Sequence, residues 1–209
     1  IEAILHAFLL ALGLILPLGA QNIFVFNQGA NQPKLVKTLP VIITAGLCDT
    51  ILISLAVLGV SLVLMSFPTL QLVIYIFGLI FLFYIAWTLW NEKTQSVKQD
   101  NSLSASKQIS FALSVSLLNP HAVMDTIGVI GTSASAYVGY EKFAFTLTCI
   151  LVSWIWFIFL ALAGKSVGSL DKNGKLLIFV NKLSSIIIVI VALIICLLYT
   201  SPSPRDRTR

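Results

Sequence analysis

Long apolar stretches separated by short polar connections dominate the sequence. Six stretches are almost free of charge: 4–26, 39–64, 69–90, 109–130, 143–163 and 177–198. A helix of about 20 apolar residues is long enough to cross the hydrocarbon core of a bilayer, since each residue adds about 1.5 Å. The pattern therefore predicts an all-α, polytopic membrane protein with six transmembrane helices.

The polar connections divide these predicted spans into two sets of three. The connection 91–108 is the longest and is rich in Ser, Gln, Lys and Asn, so it is predicted to link halves 1–90 and 109–198 of a single transmembrane domain, 1–198. Because three is an odd number, two related halves would insert in opposite orientations as a 3+3 inverted repeat. Residues 199–209 resemble a translated sequencing-adaptor tail and are predicted to be non-native.

The first predicted span contains a helix-breaking sequence near its middle. Pro17 removes one backbone hydrogen-bond donor and crowds the carbonyl of Gly13, four residues earlier. Gly19 follows, and then the amide side chains of Gln21 and Asn22. These amides can bind a substrate carboxylate or amine without adding charge. A half-helix that begins after the break would also offer its backbone N–H groups to a carboxylate.

The fourth predicted span repeats this feature. Pro120 lies near its middle, and Asp125 follows five residues later, as Asn22 follows Pro17. Interrupted spans at matching places in two halves are typical of the binding site of a transporter. The alternative is two ordinary kinked helices, since Gly and Pro are common in membrane helices. The pattern predicts that helices 1 and 4 are broken.

Two acidic side chains lie deep within the predicted spans, Asp49 in the second and Asp125 in the fourth. A charged residue at the centre of a membrane helix costs about 2.5–3.5 kcal/mol on insertion scales. No Lys or Arg lies at the centre of any predicted span, so the sequence supplies no buried cation to pair with them. We therefore expect a cationic substrate, a metal ion or protons to balance at least one of these carboxylates.

The residues around Pro120 suggest a second kind of chemistry. His121 and Asp125 are four residues apart, close enough on a helix to share a proton as in intramembrane relays. A neutral His121 that satisfies a freed carbonyl near the break is an equally good explanation. Both interpretations stay open at this point.

The basic residues predict an orientation. The first, third and fifth connections contain eight lysines, whereas the second and fourth contain one. By the positive-inside rule the lysine-rich connections lie in the cytoplasm and both termini lie outside. The eight lysines are Lys34, Lys37, Lys93, Lys98, Lys107, Lys165, Lys172 and Lys175.

Composition excludes several classes of protein. With 58% hydrophobic and 10% charged residues, the chain is not a soluble domain of normal composition. The three cysteines, Cys48, Cys149 and Cys196, are odd in number and fit neither a metal site nor a disulfide framework. The sequence contains no nucleic-acid-binding motif and predicts neither a cofactor nor a structural metal.

Three stretches resemble the lysine exporter (LysE-type) family, in particular its lysine/arginine exporter branch. They are Leu18–Gly29, Cys48-Asp49-Thr50 and Leu118–Thr126, and the resemblance covers residues 1 to about 195. It implies efflux of basic amino acids across a bacterial inner membrane, driven by the proton or ion gradient. Ala20 is a departure, because a proline is common there in the family. Carried over by position, the site residues are Gln21, Asn22, Asp49, Asn119, Pro120 and Asp125.

Other functions remain open on the sequence. The same fold could carry neutral amino acids or a divalent metal such as cadmium, because Cys48 lies beside Asp49. An intramembrane aspartyl protease also needs two aspartates, but neither aspartate here lies in a Gly-x-Gly-Asp or Tyr-Asp sequence. A purely structural subunit would not need two desolvated acids. We predict a transporter and not an enzyme, in contact with the lipid bilayer and compatible with a homo-oligomer.

Overall fold

A computed structural model of the protein describes residues 1–16, 19–59, 68–91, 102–118, 125–170 and 175–200. These ranges are helical and contain no strand, which confirms the all-α prediction. Their longer elements are α1 (Glu2–Ile15), α2 (Ala20–Asn31), α3 (Leu39–Val57), α4 (Pro68–Trp90), α5 (Ala105–Leu117), α6 (Gly131–Ala134), α7 (Gly139–Leu170) and α8 (Lys175–Thr200). A 3₁₀ turn, Leu35–Thr38, precedes α3, and a π-helical turn, Asp125–Ile130, precedes α6.

The described helices include clear membrane spans. Leu35–Val57 and Gly139–Leu170 are each long and apolar enough to cross a bilayer, with mean hydropathies of 2.0 and 2.3. Within the described ranges α1 and α2 together count as a third span if the bent pair is taken as one. The protein is therefore a membrane protein, while the total of six spans and the inverted repeat stay predictions.

The first span is broken as predicted. α1 ends at Ile15 and α2 begins at Ala20, and the two helices are bent by 78°. The Asn22 side chain bridges the break, because its Nδ2 donates to the carbonyl of Ile15 over 2.7 Å. Gly13 lies inside α1, two residues before the helix ends, and Gly19 is the N-cap of α2. Pro17 lies outside the described residues.

The helix that opens the fourth predicted span ends before Pro120. α5 ends at Leu117, and the next described residues, Asp125–Ile130, form a π-helical turn. A proline disfavours helical backbone in the residue before it, so an end at this point is expected. Asn119, Pro120 and His121 themselves lie outside the described residues, and so does the tail 201–209. α5 begins at Ala105, inside the predicted linker 91–108. Its first turn is polar, so the pattern of apolar residues does not indicate that it is helical.

Two other predicted boundaries were wrong. α3 ends at Val57 rather than near residue 64, because the chain turns at Gly59, whose φ of +92° suits glycine alone. α7 runs to Leu170 rather than 163, which places Lys165 in a helix and not in the fifth connection. The Lys165 ammonium reaches the carbonyls of Gln32 and Pro33, over 2.7 and 3.1 Å, at the end of α2.

The long helix α7 is the centre of the packing. α1 lies along its first half, where the Cys149 thiol points to the carbonyl of Ala7. α2 lies along its second half, where glycines allow backbone-to-backbone contact: a Cβ on Gly164 would collide with the carbonyl of Phe26, and a Cβ on Gly29 with that of Ala161. Both pieces of the broken span are thereby held against one continuous helix.

The remaining helices complete the bundle in pairs. α3 packs against α7 and against α5, and α4 packs against α8. The Ser185 hydroxyl on α8 donates to the carbonyl of Ala86 on α4 over 2.7 Å. α8 also meets α2, through the amides of Asn27 and Asn181, whose Nδ2 and Oδ1 atoms are 2.6 Å apart.

Candidate functional site

The site is built around the carboxylate of Asp49, in the middle of α3. Its Oδ1 accepts a hydrogen bond from Gln21 Nε2 on α2, over 3.2 Å, and its Oδ2 accepts one from the hydroxyl of Ser153 on α7. Three helices from different parts of the chain therefore converge on one acidic group. In the described part of the chain no Lys, Arg or His pairs with this carboxylate.

The surface of α3 shows which way this group points. Ile43, Leu47, Ile51 and Leu55 form an exposed apolar stripe of the kind that faces lipid. Asp49 lies two residues from both Leu47 and Ile51, about 160–200° away around the helix at 100° per residue. Its carboxylate is therefore on the opposite side, toward α2 and α7, and the residue as a whole is half-buried. The charge therefore points into the bundle and not toward the lipid-facing stripe.

Trp154 adjoins this site and fixes the spacing of α3 and α7. Its Nε1 donates to the Thr50 hydroxyl over 3.0 Å, and its ring covers Gly46, where a Cβ would lie 2.6 Å from the indole. This side chain therefore both packs on α3 and forms a hydrogen bond with it. The hydrogen bonds from Ser153 and Trp154 hold Asp49 and Thr50, two successive residues of α3, against two successive residues of α7.

The predicted site residues divide into three groups. Gln21 and Asp49 meet through the hydrogen bond from Gln21 Nε2 to Asp49 Oδ1. Asn22 is buried, and its Nδ2 donates to the carbonyl of Ile15 at the break, so it stabilises the bend. Asp125 begins the π-helical turn, and Ile127, two residues later, packs with Leu52 and Ala56 of α3.

Sequence reasoning missed one member of the site. Ser153 lies in the most apolar part of α7, and its hydroxyl is bonded to Asp49 with only 3% of the residue exposed. A signal was available: a lone hydroxyl among apolar residues of a predicted span needs a partner, and Asp49 was the deepest acceptor in the preceding half. What the sequence could not supply was the rotation of α7 that brings the two together.

A bent first span, helices that converge on one carboxylate, and the lack of a balancing cation among the described residues together indicate a membrane transporter. Comparison with known proteins gives the family. Residues 12–199 match the family described as LysE type translocator. The chain belongs to this family, and it is a transporter and not an enzyme.

Individual relatives agree with this assignment. The chain is 49% identical over 185 residues to YisU of Bacillus subtilis (strain 168), a candidate amino-acid transporter, with 88% of this chain and 84% of that protein covered. It is 32% identical over 190 residues to the arginine exporter protein ArgO of Salmonella schwarzengrund (strain CVM19633), with 88% and 89% covered. It is 29% identical over 196 residues to YggA of Aeromonas salmonicida, another candidate amino-acid transporter, with 90% and 93% covered. No solved structure matches this chain.

Proposed function

We propose that the protein exports basic amino acids, L-arginine and L-lysine, across the inner membrane of a bacterium. The observation that carries this proposal is Asp49, a carboxylate inside a membrane protein that is hydrogen-bonded by Gln21 and Ser153 and is not balanced by a cation of the described chain. A guanidinium or ammonium group would supply that balance and form charge-assisted hydrogen bonds with it. Relatives named arginine exporter and amino-acid transporter support the same cargo.

The rest of the substrate would lie along α2. This helix begins at Ala20, and Gly19 at its N-cap contributes no side chain to its first turn. The partial positive charge of a helix N-terminus stabilises a carboxylate. Gln21 stands at this helix end and also reaches Asp49, so a single residue connects the place for the substrate carboxylate with the place for its cationic side chain. Asn119, His121 and Asp125 are proposed to complete the site from the fourth span.

The contacts between helices support a 3+3 inverted repeat with halves 1–90 and 109–198. If the first span corresponds to the fourth and the second to the fifth, the packing of α1 and α2 on α7 corresponds to that of α5 on α3, and both occur. The bonded pairs Asp49–Ser153 and Thr50–Trp154 are each 104 residues apart, close to the 103 residues between Pro17 and Pro120. Such a repeat would let the two halves rock around a central site to expose it alternately to each side.

Orientation and energy coupling follow from charge. We propose that the lysine-rich first, third and fifth connections face the cytoplasm. We also propose that protons drive export: a proton arriving from outside would neutralise Asp49 or Asp125, which weakens the hold on the substrate cation and promotes its release. Export should then be faster when the outside is more acidic than the inside, and slower when the gradient is removed.

The experiment compares cells that have the protein with cells that lack it. Both are loaded with lysine or arginine by feeding the corresponding dipeptides, and the efflux of the amino acid is measured. Asp49→Asn keeps the size of the side chain but removes its charge and replaces one of its two acceptor oxygens with a donor NH2 group. We expect it to lower export about 30-fold or more, because losing one partner of a desolvated charge pair costs about 2 kcal/mol or more. Glu141→Gln, an acid at the exposed start of α7, is the matched control and should export normally.

The same assay separates the alternatives. Full export by Asp49→Asn at normal protein levels would refute the role of this carboxylate. Efflux of leucine, or inhibition by cadmium together with cadmium efflux, would replace basic amino acids with a neutral amino acid or a divalent metal as the cargo. Within the described residues no group of three or more His, Cys, Asp or Glu could hold a metal ion, so no structural observation favours the metal.

A further inference from the structure

The interface between α3 and α5 contains polar groups that the described structure leaves without partners. Among the described residues, five buried side-chain atoms form no hydrogen bond, and two of them, Thr38 Oγ1 and Gln108 Oε1, lie at one end of this interface. A third polar side chain, Ser116, lies deeper, with the thiol of Cys48 as a weak partner. Each of the three residues is no more than 1% exposed. A polar group costs about 1–3 kcal/mol when it is buried without a partner, so these side chains call for a physical reason.

These groups follow a line from one end of the bundle to Asp49. Thr38 and Gln108 lie at the end of the bundle that carries the first connection. Small and apolar residues, Ala45 and Ala112 among them, pack between them and the deeper part of the interface. Ser116 lies beside the thiol of Cys48, the residue before Asp49. Thr38 and Asp49 are 11 residues apart, about 16 Å along a helix, or about half of a bilayer core.

Hydrogen bonds to the backbone close this line at the end of the bundle that carries the first connection. Gln108 Nε2 donates to the carbonyls of Lys37 and Leu103, over 3.0 and 2.9 Å, and Gln32 Nε2 donates to the same Leu103 carbonyl over 2.9 Å. Leu103 lies just before α5, so one carbonyl joins the end of α2 to the start of α5. Gln32 and Gln108 are each 1% exposed, so water does not reach these bonds.

We propose that the α3–α5 interface is the passage from the lysine-rich side to Asp49, and that Gln32 and Gln108 are the gate that closes it. This passage, which rests on the proposed transport function, is closed in the structure. When α5 separates from α3, water or the substrate can bond to the hydroxyls of Thr38 and Ser116 and to the free oxygen of Gln108. Amides and hydroxyls suit a passage for a cationic amino acid, because they solvate the charge without binding it as tightly as Asp49 does.

The test uses Cys48 as a reporter at the inner end of the passage. Its thiol is 3% exposed, and it becomes the sole cysteine after Cys149→Ala and Cys196→Ala. Modification of this thiol by a charged, membrane-impermeant methanethiosulfonate is measured in vesicles of both orientations. Lys37→Cys, an exposed site on the first connection in a background without other cysteines, shows which preparation presents the lysine-rich side to the reagent.

We expect Gln108→Ala to increase the rate of Cys48 modification about tenfold from the lysine-rich side and to leave the other side unchanged, since it removes two hydrogen bonds that hold the closed state. Gln32→Ala removes one bond to the same carbonyl without touching α5, and it should act in the same direction with a smaller effect. Ser110→Ala, on the exposed face of α5, is the control and should not change the rate.

Each possible result either supports the gate or overturns it. No increase in either glutamine variant, or an equal increase from both sides, would overturn the gate, because the second result describes general loosening. If Gln108→Ala does not fold, Gln32→Ala alone answers the question. The labelling uses no substrate, so it stands apart from the transport proposal. If the rate of Cys48 modification increases from one side only, but the protein exports neither lysine nor arginine, the passage is supported and the proposed substrate is refuted.

Discussion

Two interfaces of this bundle are built on opposite principles. Between α2 and α7, Gly29 and Gly164 bring the two backbones into direct contact. Between α3 and α5, buried hydroxyl and amide groups remain without partners, Thr38 and Gln108 among them. A glycine interface is stable only when it is closed, because its stability comes from close packing. An interface with unsatisfied polar groups loses part of its stability on closing, so its closed and open states are nearer in free energy.

This contrast indicates which parts of the protein move together. α2 carries Gln21 and α7 carries Ser153, so the tight interface holds two of the hydrogen-bond donors to Asp49 in a fixed relation. α5 and the residues before it lie across the weaker interface. We expect α2 and α7 to behave as one rigid unit, against which α5 opens and closes.

The strongest challenge to the rigid interface is Gly164→Ala. Its added Cβ would meet the carbonyl of Phe26, which is backbone and cannot rotate away. We expect destabilisation of about 3 kcal/mol, the upper range for overpacking, measured as a lower thermal unfolding midpoint in detergent and a lower yield. Gly13→Ala is the matched control, since no atom lies within 4 Å of its added Cβ. If both variants unfold at the same temperature, the α2–α7 contact is not as close as described.

The weaker interface makes an opposite prediction. Thr38→Val keeps the shape of the side chain and removes a buried hydroxyl that has no partner among the described residues. We expect it to stabilise the protein by about 1 kcal/mol and to slow export, because the closed state becomes easier to form and harder to hydrate. Thermal unfolding and efflux are measured on the same preparation.

Thr44→Val on α3 is the control for this variant, because the Thr44 hydroxyl donates to the carbonyl of Pro40 over 2.7 Å. Removing a satisfied group should give no stabilisation. A Thr38→Val protein that is less stable than the unmodified chain would count against the described environment of this hydroxyl.

The smallest effect is expected at the α3–α7 contact. Thr50→Val removes the acceptor for Trp154 Nε1 and should cost about 1 kcal/mol, the net value of one hydrogen bond. The indole ring still covers Gly46, so export should continue. In a Trp154→Phe background the same change should have almost no effect, because the bond is already lost. Equal costs in both backgrounds would show that the two side chains are not coupled.

Much of the fold could be predicted from local features of the sequence. Apolar length identified the helices, and Pro17 with Gly19 located the break in the first span, because both effects act within a few residues. Asp49 was identified by the cost of a charge in lipid, which needs no knowledge of its neighbours. The helices and the break could be predicted because each depends on one segment of chain and its solvent, while the role of Asp49 stays a prediction.

The features that could not be predicted from the sequence depend on how the helices are rotated and where they end. Ser153 reaches Asp49, and Trp154 reaches Thr50, only because α7 turns that side toward α3, and one stretch of sequence does not specify such a rotation. Lys165 looked like a loop residue because charge usually ends an apolar span, yet it extends a helix and binds the carbonyls of Gln32 and Pro33. Gln32 and Gln108 are polar residues at the ends of apolar stretches, so nothing in the sequence distinguishes them from other residues of the connections.

The hydrogen bond from Asn22 to the Ile15 carbonyl has a further consequence. It lies within a single stretch of chain and involves neither Asp49 nor any cargo, so the bend is present before a ligand arrives. An incoming amino acid would then find this part of the binding site already formed, and little of its binding free energy would be spent on ordering the protein. A site formed in advance can hold the amino acid through few contacts, which suits a transporter that must release its substrate on the far side.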